Sequence, residues 1–192
     1  MTTYESKRTA LTRRALIGGM AGLGVAGSTQ AFAAAPSILT GAGDFRSLKL
    51  INNRTAERLD TVYWVEGTYI PEAMEAVNYV LRDWREGLMI QIDPKAIDIM
   101  AATQNLLRTS EPFEVVSGYR SAKTNAMLRS RSRGVARNSY HTRGMAVDLT
   151  MKTRTAREVA RAAKSLSAGG VGTYSRSKFT HVDSGPVRDW GR

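Results

Sequence analysis

Cysteine is absent from this sequence of 192 residues. The absence excludes disulfides, thiolate zinc sites, cysteine nucleophiles and a lipid anchor attached to cysteine. No run of about 18 or more apolar residues occurs, so we expect no membrane-spanning helix. Histidine is scarce, with two residues, and any imidazole chemistry must therefore use His141 or His181.

Acidic residues are in the minority, because 17 Asp and Glu stand against 28 Lys and Arg, for a formal net charge of +11. Such an excess favours an anionic partner or surface. Hydrophobic residues make up 42% of the chain and charged residues 23%. This balance is typical of a folded globular protein, and the length fits one domain with appendages.

The first 33 residues have the pattern of an export signal. The arginine pair Arg13-Arg14 precedes an uncharged, glycine-diluted segment, and Ala31-Phe32-Ala33 has the small residues that a signal peptidase requires. The pair resembles a twin-arginine signal, with an ordinary secretory signal or a short amphipathic start as the alternatives. We predict export to the periplasm with cleavage after Ala33, or else after Ala35.

An exported and processed chain would keep no transmembrane anchor and would meet little nucleic acid. The expected anionic partner is therefore the cell wall or lipid headgroups. Residues 34–43 are rich in Ala, Gly, Pro and Ser and predict a linker. Residues 44–192 are then expected to form a single domain. The sequence predicts no particular oligomeric state.

Local signals in this domain predict helices mixed with short strands. Two β-like runs, residues 47–51 and 60–65, flank a turn sequence and predict a hairpin. Helix-start signals, which are a proline in the first turn or a capping side chain, occur at Pro71, Asp93-Pro94 and Thr155 with Glu158. Further strands are predicted over residues 113–116, 145–151, 171–174 and 179–183. The order predicts an α+β fold, a small antiparallel sheet with flanking helices.

His141 and Asp148 stand seven residues apart, and Asp148 lies in an alternating run that predicts a strand. A lone charge on a half-buried strand is costly unless a cation accompanies it, and a metal ion is one such cation. His181 and Asp183 would share one face of another strand. Two histidines and one carboxylate suit a catalytic zinc site with an open fourth position. From the residues alone, the alternative is two ordinary histidines on the surface or in the core.

Several short motifs together resemble the zinc D,D-/L,D-peptidase family of the D-alanyl-D-alanine carboxypeptidases, in its murein endopeptidase K-like branch. They are Ser117-Gly118-Tyr119-Arg120-Ser121, Asn125, Ser139-x-His141-x-x-Gly144-x-Ala146-x-Asp148 and His181-x-Asp183. The resemblance covers roughly residues 44 to 192. It implies a hedgehog/D,D-peptidase-like fold and a Zn²⁺-dependent peptidoglycan endopeptidase. Hedgehog domains share this fold, so a non-catalytic zinc-containing module that binds the cell wall is the alternative.

The resemblance also implies roles for single residues. His141, Asp148 and His181 match the zinc ligands, and Arg120 matches an arginine near the substrate carbonyl. There Arg120 would stabilise an oxyanion, unless it is a turn residue paired to a carboxylate. Ser139 would contact the substrate or orient its loop, with a plain turn hydroxyl as the alternative. Tyr119 is a candidate for the wall of a substrate groove.

The general base is the point at which this sequence departs from some relatives. Those relatives have a Glu three residues before the third ligand, or a His two before it, where this chain has Lys178 and Phe179. Asp183 is the nearest candidate, either as the base or as a residue that orients a ligand. Four arginines at 129, 131, 133 and 137 would hold an anionic glycan-peptide or form a solvated face. Trp190 is predicted to pack in the core or at an edge.

Overall fold

A mixed sheet of eight strands organises residues 44–191, the part of the chain that this computed structural model describes. The predicted signal, residues 1–33, and the predicted linker, residues 34–43, lie outside the described residues. The strands are β1 (Phe45–Asn52), β2 (Glu57–Val65), β3 (Thr68–Tyr69), β4 (Phe113–Ser117), β5 (Ala146–Thr150), β6 (Gly170–Tyr174), β7 (Phe179–Asp183) and β8 (Arg188–Gly191). The helices are α1 (Pro71–Val80), α2 (Pro94–Leu106), α3 (Ala122–Arg131) and α4 (Ala156–Ser165). Within residues 44–191, no helix is both long and apolar enough to cross a membrane.

The strand order in the sheet is β3-β2-β1-β4-β5-β7-β6-β8. The predicted α+β fold is confirmed, and β1 and β2 form the predicted hairpin. The sheet is larger than the small antiparallel one that the sequence predicts, because β1 pairs with β4 and β6 with β8 in parallel. Parallel strands need a crossover connection, and helices α1 and α2 supply it between β1 and β4.

The helices begin where the sequence predicts them. Pro71 occupies the first turn of α1, and the Asp93 side chain caps α2 by accepting a hydrogen bond from the Lys95 amide at 2.9 Å. Thr155 and Glu158 form the predicted capping box at the start of α4. These caps satisfy amide groups that would otherwise have no partner at a helix start, so the element boundaries are set locally.

The hydrophobic core lies on the face of the sheet that α2 and α4 cover. Val147 and Leu149 of β5 and Val182 of β7 point into it and are fully buried. Because side chains alternate along a strand, Asp148 and His181 point to the opposite face. The core therefore fixes the strands from one side and leaves the other side free to form a site.

A buried charge fastens the N-terminal hairpin to helix α2. Asp98 is fully buried and accepts hydrogen bonds from the hydroxyls of Tyr63 at 2.8 Å and Tyr69 at 2.7 Å. Arg46 of β1 adds an ion pair to the same carboxylate at 3.2 Å. This cluster is built from residues other than those of the β5 and β7 face, and it holds the hairpin in place.

Candidate active site

Four neighbouring strands bring a row of side chains together. The ladder pairs place Asp148 of β5 opposite His181 of β7, His181 opposite Gly172 of β6, and Gly172 opposite Trp190 of β8. A Cβ atom on Gly172 would lie 2.6 Å from the Trp190 ring. Glycine therefore leaves the space in which the indole lies, with its centroid 5.3 Å from that of the His181 ring.

A short 3-10 helix, Tyr140–Arg143, carries the other histidine. The Ser139 side chain caps it by accepting a hydrogen bond from the His141 amide at 3.4 Å. Gly144 ends it with a φ of +68°, and a Cβ there would meet the Gln91 carbonyl oxygen at 2.7 Å. Glycine is needed at 144 for both reasons, and the tight turn places His141 against β5.

Three possible ligand atoms converge. His141 Nε2 lies 3.2 Å from Asp148 Oδ1 and 3.2 Å from His181 Nδ1, and the last two atoms are 2.8 Å apart. Ligands held about 2.0 Å from a tetrahedral zinc ion are separated by about 3.3 Å. All three residues are buried, and the group could hold a metal ion. The donor set and the spacing of the triangle therefore fit Zn²⁺.

Each histidine ring is oriented by a hydrogen bond on its other nitrogen. His141 Nδ1 donates to the Gly118 carbonyl at 2.8 Å, and His181 Nε2 donates to Asp183 Oδ2 at 3.0 Å. These bonds leave the other two ring nitrogens, His141 Nε2 and His181 Nδ1, facing Asp148. Outer partners of this kind fix the tautomer and orientation of metal-binding histidines.

Asp183 lies on the Nε2 side of the His181 ring, away from the converging atoms. It is fully buried, and its two oxygens accept hydrogen bonds from Arg188 at 3.0 and 2.7 Å. The backbone amides of Gly185 and Gly170 add bonds at 2.9 and 3.3 Å. A carboxylate so fully engaged is suited to orienting His181.

The burial and charges of the cluster set its protonation. Burial lowers the pKa of His141 despite the nearby Asp148 charge, so this ring is neutral. Burial also acts to lower the pKa of His181, but hydrogen bonds to Asp148 and Asp183 outweigh it and raise the pKa to about 9. Burial acts to raise the pKa of Asp148, yet the histidines hold it well below its usual range. A divalent cation bound here would therefore displace one proton, from His181.

Arg120 borders the ligand cluster. Its Nη2 pairs with Asp148 Oδ2, the carboxylate oxygen that does not face the histidines, and its Nε donates to Ser117 Oγ at 2.7 Å. The Arg120 backbone amide also donates to the His141 carbonyl at 3.2 Å. The guanidinium is thus fixed beside the three possible ligands. Arg120 is thus paired to a carboxylate, as the alternative from the sequence has it.

A cavity of about 700 Å³ opens over the cluster. The candidate ligands, Arg120 and Ser139 form part of its lining, together with the aromatic side chains of Tyr140, Tyr174, Phe179 and Trp190. Tyr174 and Phe179 stack with their ring centroids 4.4 Å apart, and Trp190 Nε1 donates to the Tyr174 hydroxyl at 3.0 Å. The cavity is therefore an aromatic-walled groove that ends on the possible metal site.

Comparison with known proteins agrees with these features. A family model for peptidoglycan L,D-endopeptidase MepK matches residues 40–190. The peptidoglycan L,D-endopeptidase MepK of Escherichia coli (strain K12) is 43% identical over 145 residues, which cover 76% of this chain and 80% of that relative. The probable peptidoglycan L,D-endopeptidase MepK of Haemophilus influenzae is 41% identical over 146 residues, covering 76% and 78%. This chain belongs to the MepK family.

Membership in the MepK family confirms the resemblance that the motifs indicate, and the structure locates the remaining motif residues. Ser139 is both a helix cap and part of the cavity wall. Tyr119 is half-buried, packs against the hydrophobic core and is not part of the cavity lining. Asn125 donates through Nδ2 to the carbonyls of residues 136 and 137, and so fixes the loop before His141.

Arg188 and Trp190 are among the cavity residues that the sequence did not predict as site residues. Both belong to β8, the edge strand that pairs with β6. Trp190 does lie at an edge of the sheet, as predicted, but its ring also approaches His181 and lines the groove. The sequence around β8 is only a weak strand signal, in which Arg188 and Trp190 alternate with Val187 and Asp189. The pairing of β8 with β6 is what places Arg188 and Trp190 on the side of the site.

Proposed function

We propose that this protein is a zinc-dependent peptidoglycan endopeptidase that hydrolyses a peptide bond in murein stem peptides or cross-links. The observation that carries the proposal is the convergence of His141 Nε2, Asp148 Oδ1 and His181 Nδ1 at 2.8 to 3.2 Å beneath an open cavity. The relatives in the MepK family are named L,D-endopeptidases, which supports an L,D bond as the one cleaved.

In this proposal His141, Asp148 and His181 hold the zinc ion. The ion would supply a Lewis acid that polarises the scissile carbonyl and activates water for attack. Arg120 lies beside the cluster, and its guanidinium stabilises the negative charge that develops on the carbonyl oxygen. The Tyr174 and Trp190 rings form a wall against which the glycan-peptide is positioned.

The proposal gives Asp183 an orienting role. Its oxygens bind Arg188 and the Nε2 edge of His181, so it keeps the Nδ1 lone pair of that ring aimed at the metal position. The described residues that line the cavity include one carboxylate, that of the proposed ligand Asp148. The proton of the attacking water therefore passes to a group other than Asp183, such as a carboxylate of the substrate.

A non-catalytic module that holds the cell wall through the same zinc site is the second candidate. It is favoured by the positions of Lys178 and Phe179, where some relatives have a base, and by the engagement of Asp183 away from the metal position. Purified protein loaded with zinc and incubated with murein sacculi separates the two candidates. Release of soluble muropeptides that stops with a chelator supports the peptidase, whereas binding without release supports the module.

The proposed location is the periplasm, reached through a twin-arginine signal in residues 1–33. Its support is the sequence pattern of Arg13-Arg14 followed by the Ala31-Phe32-Ala33 segment, together with a substrate found outside the cytoplasm. Replacement of Arg13 and Arg14 by Lys is expected to retain the protein in the cytoplasm. Cell fractionation measures this, and unchanged export would remove the twin-arginine assignment.

A further inference from the structure

A loop rich in arginine borders the open side of the cavity. Arg129 and Arg131 lie at the end of α3, and Arg133 and Arg137 lie in the loop that follows. Loop residues between and beside them, Ser132, Gly134, Val135, Ala136 and Asn138, line the cavity itself. We call these four arginines the basic rim. Arg133 and Arg137 are direct chain neighbours of lining residues, so the basic rim lies beside the cavity.

The basic rim has no compensating acid. All four residues are exposed, and among residues 44–191 their side chains form no hydrogen bond or ion pair. Some other exposed cations of this fold have acidic partners, such as Lys123 with Glu86 and Lys164 with Asp189. Between Glu114 and Asp148 the sequence contains no Asp or Glu. Like charges concentrated in this way repel one another, and an anionic ligand would relieve the repulsion.

Arg176 extends the positive charge of the basic rim into the cavity. Arg120 and Arg188 also line the cavity, but they are paired with Asp148 and Asp183, whereas Arg176 forms no ion pair among residues 44–191. The rim itself contains arginine and no lysine. Arginine presents a planar fork that binds a carboxylate through two parallel hydrogen bonds, which an ammonium group cannot do. The chemistry of this surface therefore fits a ligand with several carboxylates spaced along a chain.

We propose that the basic rim is a docking surface for the polymeric wall, and that it binds free carboxylates of neighbouring stem peptides beyond the peptide held at the metal site. This inference rests on the proposed function, since it takes the substrate to be peptidoglycan. The basic rim would make the protein bind the assembled polymer more tightly than small fragments, because a small fragment has few carboxylates that can reach the rim. Attraction between exposed charges is screened by salt, so docking weakens as ionic strength rises.

The test compares the wild type with a rim variant in which Arg129, Arg131, Arg133 and Arg137 are all replaced by Gln. The matched control replaces Arg58, Arg108, Arg157 and Arg161 by Gln, which makes the same change in charge at exposed arginines outside the cavity lining. Binding to sacculi is measured by co-sedimentation with a chelator present, so that the polymer is not cut. Circular dichroism and zinc content establish that each variant is folded, and the double variant R133Q/R137Q replaces the rim variant if that one is unstable.

The rim variant is expected to bind sacculi about tenfold more weakly than the wild type at low salt, and the control to bind within twofold. Sacculi whose carboxylates have been converted to neutral amides are expected to lose most of their binding to the wild type. The ratio of sacculus cleavage to soluble-fragment cleavage is expected to fall for the rim variant.

Equal binding of rim variant and control overturns the proposal, as does full binding to amidated sacculi. A rim effect seen on vesicles with about 30% phosphatidylglycerol but absent on sacculi also overturns it, and would indicate a lipid surface. Failure of the proposed function can be told apart from failure of the docking proposal. If only the proposed function fails, the basic rim still affects binding to sacculi, but the wild type releases no fragment.

Discussion

Arg188 holds Asp183 through both carboxylate oxygens, at 3.0 and 2.7 Å, while Asp183 accepts a hydrogen bond from the His181 ring at 3.0 Å. The arginine thus acts on the proposed metal site through two intermediates, Asp183 and the His181 ring, since its own hydrogen bonds go to Asp183 and to the Pro186 carbonyl. The Arg188 guanidinium lies over the rings of Tyr140 and Trp190, and these contacts hold the arginine in place beside Asp183.

Replacement of Asp183 by Asn is expected to weaken zinc binding by about 10- to 100-fold, the usual cost of losing an outer partner of a metal-binding histidine. The new amide nitrogen would face either Arg188 or the His181 N–H, and both are donors. Competition titration with a chromophoric chelator measures the affinity. If Asp183 is instead the general base, the variant would bind zinc normally and lose only its rate.

Replacement of His181 by Ala is expected to abolish both stoichiometric zinc binding and muropeptide release, because it removes one of three converging donors. Elemental analysis of the purified variant and chromatography of digested sacculi are the two measurements. In the wild type, a chelator should stop release and added zinc should restore it. Normal cleavage by the His181 variant would contradict the proposed site.

Replacement of Arg120 by Gln is expected to lower kcat by about 10²- to 10³-fold, the usual cost of removing one oxyanion-stabilising donor. The zinc content should remain near one ion per chain, since Arg120 touches the outer oxygen of Asp148. Kinetics with a soluble cross-linked fragment separate kcat from KM. Loss of the metal together with the rate would show that Arg120 serves mainly to hold Asp148.

Zinc affinity is expected to rise about tenfold per pH unit between pH 6.5 and about 9. In the metal-free protein the pKa of His181 is raised to about 9, so below that pH each zinc ion must displace one proton. Calorimetry in buffers of different ionisation enthalpy counts the released proton. A pH-independent affinity over this range would contradict the protonated His181.

The same raised pKa stabilises the metal-free fold. The contribution is fully present below the ordinary histidine pKa of about 6.5 and is lost as the pH rises through about 9. Denaturant unfolding of metal-free protein at several pH values measures the loss. The His181→Ala variant is the control, since it should lack this part of the pH dependence.

Replacement of Asp98 by Ala is expected to lower the free energy of unfolding by about 3–5 kcal/mol, because it leaves Arg46 buried without its counter-ion. Zinc content of the folded fraction should not change, since Asp98 contacts the hairpin rather than the candidate ligands. Denaturant unfolding and elemental analysis measure the two quantities. A loss of zinc from folded protein would indicate that the hairpin supports the metal site.

The fold class and the helix starts could be predicted because they depend on local signals. Pro71, Asp93 and Thr155 act on amides within their own first turns, so a few residues of sequence contain the information. The sheet could not be predicted to the same extent. The parallel pairing of β6 with β8 depends on contacts between distant segments, and no pattern within either strand specifies its neighbour.

The candidate site divides in the same way. Strand alternation correctly placed His181 and Asp183 on one face of β7. Alternation gave no information on which nitrogen of the His181 ring Asp183 contacts. A carboxylate on the Nε2 side, as observed, is placed to orient the ring, whereas a general base would have to lie on the side of the metal position. The approach of Trp190 depends on the register of three strands and on the missing side chain of Gly172, and is visible only in three dimensions.

The two imidazole rings of the chain lie with their centroids 5.0 Å apart. Every histidine resonance in a nuclear magnetic resonance spectrum of the full-length protein without an affinity tag therefore originates at this one centre. Selective ¹⁵N labelling of histidine would reveal tautomers, metal loading and inhibitor contact without background from elsewhere in the molecule. The scarcity of one residue type thus gives the protein a built-in spectroscopic reporter.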